Sequence, residues 1–334
     1  MKVGVVIPTY DQYGQSDVIR GLIGAAETLG YDSAWFGDHI VVPEYAKDYT
    51  DPHWFEALTC AFAGIGMTSR LSFGTDVLVA PYRDPILVAK MAATASELSG
   101  GRLMLGLGVG FLEGEFEALG RPPYARRGAV TDEYLRVLRL LLESKADAPL
   151  SFEGEWVRFE NIRFGPRPAN PPPLLVGGNH PKALERAGRL GDGWHPLWPT
   201  PDEYAEARQR VLAVRRRHQI DRPFTFSFSC PYTRLLAAGE PVRRDDTPWE
   251  GAPPRDYAYS PPKPRTSDGR DRFIGTAAQL REDLTEYAAA GVDQVVLRFA
   301  FPWDREVSPD RFIDRMEAFA ADVLPAAKAL RAAA

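Results

Sequence analysis

Cysteine is scarce: Cys60 and Cys230 are the only two in 334 residues. Neither stands in a paired spacing, which excludes a disulfide framework and a cysteine-rich zinc site and fits a reducing compartment. Long apolar runs are missing too, and nothing approaches the ~20 residues of a bilayer span. Met1-Lys2-Val3-Gly4 leads straight into a strand-like segment, without the charged, apolar and cleavage regions of a signal peptide. The expectation is a cytoplasmic protein with no membrane partner. Nor is there an excess of positive charge: 40 Lys and Arg against 45 Asp and Glu give a net charge of -5, so no nucleic-acid partner is expected. The dense run Arg215-Arg216-Arg217 reads as a solvated helix end. The H-E-x-x-H, G-x-S-x-G and P-loop patterns are absent, which removes the best support for zinc proteolysis, serine hydrolysis and NTP hydrolysis. No metal site is expected.

What is present is a steady alternation of strand-like and helical segments. With 45% hydrophobic and 25% charged residues, the chain has enough apolar material for a sizeable core. Val3 to Pro8 reads as a first strand. Ser16 is placed to cap a helix with Val18, Leu22, Ala25 and Leu29 at helical spacing, ended by Gly30. Ser33 to Phe36 is a second strand, followed by a helix from Trp54 to Met67. Leu71 to Ala80 is a third, and Asp84 before Pro85 is a cap with a first-turn proline. Arg102 to Gly108, Pro173 to Val176, Gly193 to Leu197, Phe224 to Cys230 and Gln294 to Phe299 continue the series to eight. Between them fall a helix with Tyr134, Leu135, Leu138, Leu141 and Leu142 on one face, a capping box at Thr200-Pro201-Asp202-Glu203, a helix through Leu280 and Leu284, and a closing helix near Arg311 to Leu330. Eight strands separated by helices, without a shift in composition, predict a single α/β domain over 1–334, a closed parallel (β/α)8 barrel. Two stretches break the rhythm. A hairpin insert is expected at about 148–172, and a Pro-, Arg- and Asp-rich loop at about 235–270 reads as a lid, a binding segment or a mobile region.

In such a barrel the chemistry gathers at the C-terminal ends of the strands. Asp38 and His39 follow the second strand. The imidazole is suited to proton exchange and the carboxylate to orienting it; a loop histidine satisfied by backbone is the other reading. Gly106-Leu107-Gly108-Val109-Gly110 fails the dinucleotide spacing because residue 111 is Phe. Gly108 and Gly110 then either let the backbone approach a flat ligand, with Glu113 just beyond, or make a tight strand-to-helix turn. Gly177-Gly178-Asn179 precedes a helix start whose amides can hold a phosphate, although a Gly-Gly turn needs no ligand. His195, beside Trp194, either faces a cofactor ring or is a capped structural histidine. Arg298 either meets an anionic group or pairs within the barrel mouth.

These segments carry a resemblance. Asp32-Ser33-Ala34-Trp35-Phe36-Gly37-Asp38-His39, Gly74-Thr75-Asp76-Val77-Leu78-Val79, Pro81-Tyr82-Arg83-Asp84-Pro85, Leu98-Ser99-Gly100-Gly101-Arg102-Leu103, Gly108-Val109-Gly110-Phe111-Leu112-Glu113-Gly114-Glu115-Phe116, Val176-Gly177-Gly178-Asn179 and Gly191-Asp192-Gly193-Trp194-His195-Pro196 stand in order. Together they resemble the luciferase-like monooxygenase superfamily, and most of all its branch of deazaflavin (coenzyme F420)-dependent oxidoreductases. The likeness covers about residues 1–215 and returns at Gly275 to Phe299. It implies a TIM barrel with insertions that usually dimerises. It also implies a non-proline cis peptide at Asp76-Val77 beside the cofactor ring, and a cofactor tail held by Gly177, Gly178 and Asn179. Asp38 and His39 match a pair near the reacting carbon, and Glu113 an acid beside the ring. The expected activity is hydride transfer between F420 and a small organic substrate, with His39 exchanging the proton, Asp38 orienting it and Glu113 assisting. A separate reductase for the cofactor is a possible partner. The rival enzyme reading is a monooxygenase using reduced FMN and oxygen; a reading of another class is a flavin-binding protein without turnover.

Overall fold

The computed structural model describes residues 1–47, 50, 52–144, 148–241, 264–301 and 307–332. In chain order its strands are β1 (Lys2–Val6), β2 (Ser33–Phe36), β3 (Ser72–Thr75), β4 (Leu78–Val79), β5 (Leu105–Gly108), β6 (Leu150–Glu153), β7 (Arg158–Ile162), β8 (Leu174–Gly177), β9 (Gly193–His195), β10 (Thr225–Tyr232), β11 (Arg234–Leu235), β12 (Ile274–Gly275) and β13 (Gln294–Arg298). The helices are α1 (Ser16–Thr28), α2 (Ala57–Met67), α3 (Pro85–Ser99), α4 (Glu113–Ala118), α5 (Arg127–Glu143), α6 (Pro181–Leu190), α7 (Pro201–Arg217), α8 (Ala277–Ala289), α9 (Pro309–Asp322) and α10 (Leu324–Ala329).

The main sheet runs β3-β2-β1-β13-β10-β9-β8-β5-β4, with every pair parallel. Its two ends, β3 and β4, are halves of one strand separated only by Asp76 and Val77. The sheet therefore closes into a barrel of eight strand positions. The expected third strand is real but broken, and the Asp76-Val77 peptide at the break is cis. Between β6 and β7 the pairing is antiparallel, so a hairpin occupies the segment expected to hold an insert. Its turn is gripped by the buried Glu133 of α5, which accepts the N–H groups of Glu155, Trp156 and Val157 at 2.7–2.8 Å. Of the loop expected at 235–270, residues 242–263 lie outside the described residues; its flanks pair as β11 and β12.

Local signals acted much as their chemistry requires. Asp84 accepts from Ile86 N and Leu87 N with Pro85 at the first turn, and Thr200 with Glu203 forms a complete capping box. Ser16 is not a cap: α1 begins after Gln15, which makes no side-chain capping bond. The closing helix is two helices, broken at Val323 just ahead of Pro325, whose ring cannot continue a helix from the previous turn.

Alternation along each strand sorts side chains into two sets. Val3, Val5, Ala34, Phe73, Leu105 and Leu297 join the outer core under the helices, whereas Val6, Trp35, Leu175 and Val296 pack together inside the barrel. Trp35 is fully buried there, and strand glycines make room for it. A Cβ on Gly4 would lie 2.7 Å from Trp35 Nε1, and one on Gly74 would lie 2.4 Å from Trp35 Cε3. Gly106 is tighter still, because its Cβ would fall 2.0 Å from the Thr75 carbonyl oxygen, a backbone atom that cannot step aside. Gly106→Ala should therefore cost about 1–3 kcal/mol through overpacking, read by chemical denaturation. A loss below about 0.5 kcal/mol, the range of inert surface changes, would contradict this packing.

Candidate active site

Above Trp35 the inward-facing positions turn polar. Asp76, at the end of β3, has a side chain only 1% exposed and is the hub of this layer. His195 Nε2 donates to its Oδ1 at 2.9 Å, Ser229 Oγ to its Oδ2 at 3.1 Å, and Arg298 Nη2 also to Oδ2. The other nitrogen of His195 is 2.8 Å from Ser227 Oγ, and its ring stacks on Trp35 with centroids 4.9 Å apart. Burial pushes the Asp76 carboxyl up, but the Arg298 charge and the bonds from His195 and Ser229 outweigh it and hold the group down at about 2.

This layer corrects one expectation. His195 has both ring nitrogens engaged, one face on Trp35 and no exposed side-chain surface, so it does not present a polar tip to a cofactor ring. Its bonds go to Asp76 and Ser227, and it is a partner in a buried network. The Asp76 side chain likewise turns inward. At that bulge Asp76 and Val77 are both partly exposed as residues, Asp76 through its backbone. Arg298 pairs within the barrel mouth, the second of its two expected readings.

A second network lies at the end of β2. Asp38 is buried, and Arg83 grips it with two bonds of 2.7 Å while Val79 N–H donates to Oδ2 at 2.8 Å. Arg83 also reaches Glu56 Oε1 at 2.6 Å, and Glu56 caps α2 through Thr59 N–H. Burial alone would lower the Arg83 pKa, but Asp38 and Glu56 raise it overall, so the guanidinium is a fixed charge. His39, one residue on, points elsewhere: Nδ1 lies 3.1 Å from Glu115 Oε2. Glu115 is 1% exposed and is itself held by Tyr82 O–H at 2.7 Å and Ile40 N–H at 3.0 Å. Burial, then the Glu115 carboxylate, drives the Tyr82 hydroxyl far above its ordinary pKa, so it stays a donor. The His39 ring stands edge-on to Trp54 and Phe111, with centroids 4.8 and 5.8 Å away.

The expected Asp38–His39 pair is thus not a contact pair. Neighbours on an extended segment project to opposite sides, and Asp38 goes down to Arg83 while His39 reaches α4. Glu113 is exposed at the start of α4; the carboxylate that meets His39 is two residues further on. Helical spacing signals it, since Leu112, Glu115, Phe116 and Leu119 form an i, i+3, i+4, i+7 stripe and put Glu115 on the packed face.

The glycines divide in the same way. A Cβ on Gly108 would sit 2.5 Å from Val77 Cγ2, and one on Gly110, at φ +77°, 2.7 Å from Val79 Cγ1. Both make room for β4 and its bulge. Gly177 ends β8 and Gly178 follows it at φ +104°. Its carbonyl accepts from Trp194 Nε1 at 2.9 Å, and Asn179 Nδ2 donates to Leu197 O at 2.7 Å. Asn179 Oδ1 is buried without a hydrogen-bond partner, and so is Thr9 Oγ1 beyond β1.

Comparison with known proteins bears on this arrangement. The sequence model of one family, described as luciferase-like monooxygenase, matches residues 1–321. The chain belongs to this family. Among relatives, an F420-dependent glucose-6-phosphate dehydrogenase of Intrasporangium calvum is 27% identical over 348 aligned positions, covering 96% of this chain and 97% of that protein. Another protein of that description, from Amycolatopsis mediterranei, is 30% identical over 66% of each chain. Among solved structures, an F420-dependent secondary alcohol dehydrogenase in complex with an F420-acetone adduct superposes with a TM-score of 0.75 over 98% of both chains, at 19% identity. At that identity the likeness establishes the luciferase-like (β/α)8 barrel fold. Among the described residues there is no cluster of three or more potential metal ligands and no helix long and apolar enough to cross a membrane.

Proposed function

We propose that this luciferase-like family member is an F420-dependent oxidoreductase that moves hydride between the deazaflavin and a small organic alcohol or carbonyl compound. His39 exchanges the proton and Glu115 positions it. The observation that carries the reading is the Tyr82–Glu115–His39 chain. With Glu115 ionised and Tyr82 donating to it, His39 Nδ1 is the nitrogen that carries hydrogen. Nε2 is left with the lone pair, in a side chain 14% exposed at the barrel mouth. A base held by a third group in this way is the arrangement that proton transfer to or from a hydroxyl requires.

The residues at the mouth fit such a cofactor. Buried acceptors and hydroxyls seldom lack partners, and Asn179 Oδ1 and Thr9 Oγ1 are completed by hydroxyl or ring N–H groups of a polar ligand. As an acceptor, Asn179 Oδ1 suits a hydroxyl of the cofactor tail better than its phosphate. Val77, Gly177, Gly178 and Asn179 would hold the group, with Gly108 and Gly110 shaping the bulge from behind. When bound, F420 supplies the hydride donor or acceptor; the chain's own part is orientation, exclusion of water and custody of the proton. Asp38, locked to Arg83, keeps the His39 loop in place. Assembly as a homodimer, a separate cofactor reductase and a cytoplasmic location belong to the same proposal by family resemblance.

Anaerobic incubation of the protein with F420 and a panel of cyclohexanol, 2-propanol and glucose 6-phosphate tests the reading. Bleaching of the oxidised deazaflavin band by at least one alcohol is expected. Oxygen uptake with reduced FMN, and no reaction with F420, would favour the monooxygenase alternative. Glu115→Gln should lower kcat about tenfold or more by loosening the base, with KM for F420 and thermal stability nearly unchanged. An equal rise in KM would instead mark Glu115 as part of the binding surface.

A further inference from the structure

We infer that the substrate is a neutral, largely apolar alcohol or its carbonyl counterpart, not a phosphorylated sugar, and that Trp54 and Phe111 are its specificity-determining walls. The inference rests on the hydride-transfer reading, since it takes His39 Nε2 as the atom that meets the substrate oxygen.

Two independent features lead to it. The first is the surface around His39. Trp54 and Phe111 flank the imidazole edge-on at 4.8 and 5.8 Å, and both are partly exposed. The polar tip of Trp54 is already spent, with Nε1 donating to Thr50 Oγ1 at 2.9 Å, so the indole offers only hydrocarbon. Its position is fixed from behind by Tyr10, 4.4 Å away between centroids, and by Gly37, where a Cβ would lie 3.0 Å from Trp54 Cζ3. Ile40 and Val41, next along the loop, are 36% and 39% exposed. Rigid aromatic edges flanking one polar atom are what a hydrocarbon with a single hydroxyl or carbonyl requires.

The second feature is charge. His39 is bonded to one carboxylate, Glu115, and in the adjoining network two more, Asp38 and Glu56, share the single guanidinium of Arg83. Arg83 is engaged by Asp38 and Glu56 through both terminal nitrogens, while Arg298 holds Asp76 through Nη2 and keeps a buried Nε without a hydrogen-bond partner. A phosphate dianion brought beside His39 meets the Glu115 carboxylate, and Arg83 is already committed to two carboxylates of its own. A neutral hydroxyl incurs neither repulsion nor an unpaired buried charge.

Saturation-transfer NMR on the full chain, with F420 uptake followed in the same samples by the cofactor's absorbance, tests the inference. With F420 bound, cyclohexanol should receive saturation and glucose 6-phosphate should not. Trp54→Ala, or Phe111→Ala should the first variant fold poorly, should weaken cyclohexanol binding about three- to tenfold with F420 uptake retained. Transfer to glucose 6-phosphate, none to cyclohexanol, or cyclohexanol binding indifferent to both substitutions overturns the substrate class. Failure of F420 to bind removes the reading beneath it, and the absorbance shows which has failed.

Discussion

Replacing His39 by alanine should reduce the rate of F420-linked cyclohexanol oxidation about a hundred- to ten-thousand-fold, the usual contribution of a positioned general base. F420 affinity should change less than about threefold, well under 1 kcal/mol. The split follows from the geometry. His39 is hydrogen-bonded to the protein through Nδ1, by Glu115, and its ring packs at the mouth against Trp54 and Phe111. Removing the ring deletes the proton acceptor and leaves the β8–α6 turn and the bulge at Val77 as they are. Glu115 also accepts from Ile40 N–H and Tyr82 O–H, so the His39→Ala protein keeps two of the three bonds that order the site and should fold normally. Single-turnover kinetics with preloaded cofactor separate the chemical step from binding. Full turnover in the variant would mean that proton transfer runs through another group or through water.

The second large effect concerns stability. Asp76→Ala should cost about 3–5 kcal/mol, because a largely buried network loses its anion and the partly buried Arg298 is left without a counter-charge. His195 Nε2 and the Ser229 hydroxyl lose the same partner. Chemical denaturation reads the loss. Arg298→Met added to Asp76→Ala should restore part of it, since replacing both members of a buried pair by apolar groups is close to neutral; strict additivity of the two losses would show that the network is not coupled. The same carboxylate gives a pH signature. Its pKa is lowered from 3.8 to about 2 on folding. Its contribution, about 2 kcal/mol, is therefore complete above pH 3.8 and disappears as the pH falls through about 2. The Asp76→Ala protein should show a flatter loss of stability over that acid window.

The barrel was legible in the sequence because its signals are local. Alternating short strands and capped helices define the layers, and the caps at Asp84 and Thr200 act through residues two or three positions away. The broken third strand with its cis peptide was legible only through family resemblance; the run Leu71 to Ala80 looks continuous by composition. The site was half legible. Its strand ends were found, but partners were assigned by adjacency in the chain. Asp38 was matched with His39 because it is next to it, whereas extended backbone sends neighbours apart. The true partner, Glu115, is 76 residues away. Only its place on the buried stripe of a six-residue helix, with Leu112, Phe116 and Leu119, gives it away. Residue type alone leaves His195 open between a group facing a ligand and a structural histidine. What decides its role is inward alternation on four strands, which gathers Asp76, His195, Ser227, Ser229 and Arg298 into one layer. For Gly108 and Gly110 the sequence leaves two readings open, room for a ligand or a tight turn; the contacts that require a missing side chain there are with the chain's own bulge, which no local pattern announces.

The central claim is that the mouth of this barrel holds a deazaflavin for hydride transfer. Parallel equilibrium titrations of the purified full chain with F420 and with FMN, under argon, test it most directly. The account predicts saturable F420 binding at least about tenfold tighter than FMN, a difference of about 1.4 kcal/mol, weakened by Asn179→Ala. FMN binding as tightly as F420, or no binding of either, would contradict it.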